Sequence, residues 1–61
     1  MTGKEIIKLL EQHGWKVLRE SGSHHRMGKG GLRTTVPVHS KRDVGKGLLA
    51  AIERQTGMKL T

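Results

Sequence analysis

One tryptophan, no phenylalanine or tyrosine and no cysteine in 61 residues leave this chain little from which to build a core. A domain of that length buries only about 60% of its unfolded surface. No disulfide or thiolate–zinc cluster can reinforce it. Packing must come from aliphatic side chains, in a single domain over residues 1–61, with a partner as a further source of stability. The absence of cysteine fits a reducing cytoplasm. No apolar run approaches the ~18 residues of a membrane span, and the N-terminal segment lacks the apolar stretch of a secretion signal.

Local signals then divide the chain. Thr2-Gly3-Lys4-Glu5 has the form of a capping box, in which hydroxyl and carboxylate each accept from the other residue's backbone N–H. Ile6, Ile7, Leu9 and Leu10 follow on one helical stripe as far as His13, and Gly14 is the expected stop. Trp15 to Glu20 has strand character, with Trp15 and Val17 on one face. Ser21-Gly22-Ser23 breaks it, and His24 to Met27 forms a second short strand. Gly28-Lys29-Gly30-Gly31 reads as a hairpin turn into a third strand from Leu32 to Val36, ended by Pro37. A second helix is expected from an Asp43 N-cap to Gly57, with Val44, Leu48 and Ile52 on its stripe and Leu49 beside them. Gly45 and Gly47 cost that helix up to ~1 kcal/mol each relative to Ala, which fits either a close backbone approach or simple tolerance. The resulting α+β order, α-β-β-β-α, is a three-stranded antiparallel sheet with two helices on one face and the other face open.

Charge narrows the function. Twelve Lys and Arg against five acids give a formal +7, spread over every segment rather than along one amphipathic helix. That pattern favours nucleic acid over a membrane surface. Four histidines raise a metal reading, but there is no H-E-x-x-H pair and the acids are scattered. His24 and His25 are neighbours on a strand and point to opposite faces, so they do not readily share an ion. Neither a metal nor any other cofactor is expected. RNA carries its own nucleophile, the 2′-OH, so cleavage needs only proton transfer and charge stabilisation at phosphorus. A histidine, with an unperturbed pKa near ~6.5, can do the first, and nearby cations the second.

His24, with Arg26, Lys29 or Arg33 in reach, is the minimal set; Gly22 admits a phosphate to the backbone and Ser23 can donate to it. The plainer reading of His24 is a surface histidine without a role. His25 reads as a structural residue or as the competing catalyst, His13 as a partner of the helix dipole, and His39 as a loop residue able to touch substrate or the second helix. Lys41, Arg42 and Lys46 crowd the start of the second helix, where cations are unfavourable unless an anion binds. They are read as phosphate contacts.

Taken in order, Ile6-Ile7-Lys8-Leu9-Leu10, Gly14-Trp15, Gly22-Ser23-His24-His25, Val36-Pro37-Val38-His39, Lys41-Arg42-Asp43, Leu48-Leu49-Ala50-Ala51-Ile52 and Gln55-Thr56-Gly57 resemble the HicA toxins of prokaryotic toxin–antitoxin pairs. The resemblance implies a double-stranded-RNA-binding-domain-like fold and a metal-independent ribonuclease. Such an enzyme cuts mRNA and arrests translation until a HicB antitoxin covers it. It places the essential histidine of the Gly-Ser-His motif at His24, with Gly22 as a motif residue. The chain departs from the family pattern at Arg26-Met27, where many members carry an aromatic residue. Two other readings stand beside this one: a non-catalytic RNA-binding module, and a degenerate toxin that only binds its antitoxin.

Overall fold

Both expected helices and all three expected strands are present in the computed structural model, which describes residues 1–60. Helix α1, Gly3–Gln12, starts at the anticipated capping box: Glu5 N–H donates to Thr2 Oγ1 (3.2 Å) and Thr2 N–H donates to Glu5 Oε1 (2.8 Å). Ile6 and Leu10 are fully buried beneath it. The helix ends where Trp15 N–H turns back to the Leu10 carbonyl (3.0 Å), with Gly14 at a φ of 90°. His13 closes the last turn through Nδ1–H to the Leu9 carbonyl (3.0 Å), in keeping with the dipole reading.

The Thr2 backbone N–H, and after it the Thr2 side chain, hold the Glu5 carboxyl below the usual carboxylate range. A depressed folded-state pKa contributes stability that is present above the unfolded value and lost as pH falls through the folded one. The thermal midpoint of the wild type is therefore expected to fall more than that of Glu5→Gln between about pH 5 and pH 3. Parallel curves would show that the cap does not titrate with folding.

Strands β1 (Lys16–Ser21), β2 (His24–Lys29) and β3 (Leu32–Pro37) form an antiparallel meander in that order. Gly22-Ser23 makes the first turn, with Gly22 left-handed at φ 58°. The second turn is Gly30-Gly31 alone, not the four residues expected from Gly28. Gly28 stays in the ladder opposite Lys16 and Arg33, and Lys29 pairs with Leu32. Two residues suffice because Gly30 takes the positive φ, 56°, that a tight hairpin requires. A bulge at Leu18 shifts the β1 register, and the Leu18 side chain reaches across the space above Gly28.

Alternation along the strands assigns the two faces. Met27, Thr34 and Val36 are buried and His25 half-buried toward the helices, whereas His24, Arg26 and Arg33 are exposed on the opposite side. Both helices pack over β3, and the core joins Ile6, Leu10, Trp15, Met27, Val36 and Ile52 to Leu49 and Leu60.

Helix α2, Lys46–Thr56, begins later than expected. Its N-cap is Gly45, not Asp43. Asp43 is occupied elsewhere: it bridges Thr2 in the backbone, its Oδ1 lies 3.6 Å from the N-terminal ammonium, and Val44 N–H donates to the Met1 carbonyl (2.8 Å). The later start rotates the buried face to Leu49, Ile52 and Thr56. Val44 is therefore outside the helix and Leu48 is 43% exposed, correcting the expected Val44-Leu48-Ile52 stripe. Among the described residues nothing lies within 4 Å of a Cβ built at Gly45 or Gly47, and Gly45, as the N-cap, lies outside the helix. Past Gly57, Leu60 turns back into the core and its N–H donates to Glu53 Oε2 (2.7 Å).

Candidate active site

His24 opens β2 directly after the Gly22-Ser23 turn, opposite Ser21 on one side and Pro37 on the other. Its side chain is exposed, while His25 turns into the helix side of the sheet. There His25 Nε2 lies 3.4 Å from Glu20 Oε1, and its Nδ1 is buried without a partner. The adjacent histidines thus occupy different environments, and only His24 is presented outward.

A half-open pocket of about 310 Å³ lies at that corner, lined by His24, Pro37, His39, Arg42, Asp43 and Leu48 among others. The backbone explains how sequence-distant groups meet there. Val38 N–H donates to the Ser23 carbonyl (2.7 Å), extending the β2–β3 pairing one step beyond Pro37. Ser40 then takes a left-handed φ of 52°, and Arg42 N–H closes the turn on the His39 carbonyl (3.0 Å). Val44 N–H fastens the far end to Met1. The segment from His39 to Asp43 is tied down at both ends and faces His24.

The expected cations divide by position. Arg42 lines the pocket. Lys41 and Lys46 are exposed, but only Lys46 is at the start of α2, which has no side-chain cap and no acid in its first turn. Lys41 and Arg42 lie in the preceding turn, because the helix begins later than expected. Arg26 stands two residues from His24 on the same face, its Nη1 donating to Thr35 Oγ1 (3.1 Å). Arg33 is on that face but four residues down the ladder, about 13 Å away at a strand rise of ~3.3 Å per residue. Its Nη1 is held by the Gly30 (2.8 Å) and Leu32 (2.7 Å) carbonyls. Lys29 sits at the same distant end, its chain near Gly14. The structure therefore gathers Arg42 with His24, sets Lys41 and Lys46 nearby, and leaves Lys29 and Arg33 apart. Gly22 and Ser23 contribute through the backbone, as the turn and as the acceptor for Val38.

His39 was not singled out as a site residue from sequence. Its usable signal was register: a two-residue turn at Gly30-Gly31 puts Pro37 opposite His24, and hence His39 just beyond it. Among the described residues, no three His, Asp or Glu side chains converge as a metal-binding group. No helix among them is long and apolar enough to cross a membrane.

Comparison with known proteins places the chain in a family. A curated relative named "Probable mRNA interferase HicA", from Pseudomonas fluorescens (strain Pf0-1), is 30% identical over 59 residues, which is 97% of this chain and 98% of that protein. No solved structure matches. The family model described as the HicA toxin of bacterial toxin–antitoxin systems matches residues 3–58, from the first residue of α1 to just past the end of α2, and the chain belongs to that family.

Proposed function

We propose that this chain is an endoribonuclease toxin that cuts mRNA in the cytoplasm without a metal ion, with His24 as its general acid or base. The observation that carries the reading is the placement of an exposed imidazole, His24, in a pocket shared with an exposed guanidinium, Arg42. The +7 charge supplies the attraction for RNA. Arg42 and Lys41, in the turn before α2, and Lys46, its first residue, hold phosphates, and the helix N-terminus, which has no side-chain cap, favours an anion. Arg26 extends the cationic track along the open face, whereas Lys29 and Arg33 contact only RNA that runs to the far hairpin. Contacts of this kind read backbone rather than base.

The relative's name, an mRNA interferase, supports the substrate class. Family membership supports a HicB-type antitoxin as the partner. An acidic antitoxin surface laid over the pocket would neutralise its cations and block access to His24.

The experiment is induction of wild type and His24→Ala in cells, with growth and RNA integrity followed together. Wild type is expected to fragment mRNA and arrest growth, and the variant to do neither. Arrest by both proteins equally would favour a passive RNA binder. Harmless expression of the wild type with RNA intact would favour a degenerate toxin.

A further inference from the structure

The four histidines fall into two pairs. Two are committed to the fold: His13 bonds the Leu9 carbonyl, and His25 faces Glu20 on the helix side of the sheet. The other two, His24 and His39, are both exposed and line the same pocket. They come from different elements, yet one hydrogen bond joins the residues immediately before them, Ser23 C=O accepting from Val38 N–H at 2.7 Å. Ser40, next to His39, is the only non-glycine residue with positive φ among those described. A left-handed backbone at a residue with a Cβ is strained, and such strain persists where the surroundings over-determine it. Here it turns the chain so that His39 and Arg42 face one cavity.

Resting on the ribonuclease reading above, we propose that His39 is a second catalytic residue, the proton-transfer partner of His24 across the scissile phosphate, with Arg42 as the cation at phosphorus. One imidazole removes the proton from the ribose 2′-OH as the 2′-oxygen bonds to phosphorus. The P–O5′ bond breaks, and the imidazolium of the other gives its proton to the departing 5′-oxygen. The products are a 2′,3′-cyclic phosphate and a 5′-hydroxyl; one proton is taken and one returned, and neither water nor metal is consumed. A lone histidine would have to perform both transfers in turn, whereas two lining one pocket act together. Arg42 neutralises charge building on the phosphorane oxygens. The charged groups facing His39 in this pocket are His24, Arg42 and Asp43, the last beside the N-terminal ammonium.

The test is the pH profile of kcat/KM for wild type, His24→Ala, His39→Ala and His39→Asn, with thermal midpoints measured alongside. Each protein is assayed on an RNA oligomer with oxygen, or with bridging sulfur, at the 5′ position of the cleaved linkage. Wild type is expected to give a bell with both limbs between about pH 5 and 8. Both His39 variants should lose about 10²–10⁴-fold, keep their midpoints and lose one limb. The sulfur leaving group needs no acid, so it should restore whichever histidine variant has lost the acid and not the other. Cleavage by both His39 variants within about threefold of wild type, or a loss that leaves both limbs intact, overturns the proposal while His24 catalysis stands. A wild type that cuts no RNA overturns the ribonuclease reading and this inference with it.

Discussion

Alanine in place of His24 is expected to slow RNA cleavage by about 10²–10⁴-fold, the usual contribution of one positioned acid or base, with little change in RNA affinity or stability. The separation of these effects follows from where the residue sits. His24 is exposed at the first position of β2, contributes nothing to the apolar cluster, and keeps its ladder partners Ser21 and Pro37 through backbone atoms alone. Surface changes of this type usually alter stability by less than about 0.5 kcal/mol. The proposed function assigns affinity to Arg42, Lys41 and Lys46, so replacing those lysines by alanine should weaken binding and flatten its salt dependence. Side-by-side measurement of single-turnover rate and equilibrium binding separates catalyst from binder. A His24→Ala protein that binds and cuts like wild type would remove this histidine from the mechanism.

Gly3→Ala is expected to be the most damaging small change to the fold, although helix propensity alone gives it the opposite sign. Alanine exceeds glycine by about 1 kcal/mol inside a helix. At position 3, however, a Cβ would overlap the Pro37 carbonyl oxygen and lie 3.0 Å from its carbon and 3.1 Å from Val38 Cα. All three are backbone atoms, held by the β2–β3 ladder and the Val38–Ser23 bond, so none can turn aside as a rotamer would. Overpacking against an unyielding wall typically costs 1–3 kcal/mol, and in a domain this small each kcal/mol lowers the thermal midpoint by about 4–8 °C. Gly28 supplies the contrast. A Cβ there meets Leu18 Cδ1 at 2.6 Å and Arg33 Nη1 at 2.9 Å, the far ends of side chains rather than backbone. Gly28→Ala is therefore expected to shift the midpoint less than Gly3→Ala. Because Pro37 and Val38 lead into His39, the position 3 variant should lose cleavage at temperatures where it is still folded. A midpoint equal to or above that of wild type would show that α1 does not bear on this loop.

Much of the architecture was legible because local chemistry and tertiary structure agree. The Thr2–Glu5 box, the Ile6/Leu10 stripe and Gly14 all act within one helix, and the opposed His24 and His25 follow from strand alternation alone. Errors arose where a residue had two possible employers. Asp43 is a good N-cap in isolation, but the chain's own amino terminus claims it and the helix starts at Gly45. The glycine-rich stretch from Gly28 supports several turns by composition; the positive φ falls at Gly30, and Gly28 stays in the ladder with Leu18 and Arg33 in the space a Cβ would take. That choice of turn also sets the register at the far end. Reading the turn two residues too early slides Pro37 away from His24 and hides His39. The close approach of Gly3 to Pro37 joins the start of α1 to the end of β3 and leaves no mark on local sequence.

Analysis of the ends left on RNA fragments, cut by the purified protein in excess EDTA, tests the central claim most directly. Metal-free attack by the neighbouring 2′-oxygen, with His24 moving the proton, predicts 2′,3′-cyclic phosphate and 5′-hydroxyl termini at an undiminished rate. Termini carrying 3′-hydroxyl and 5′-phosphate, or cleavage that stops until Mg²⁺ is restored, would contradict it.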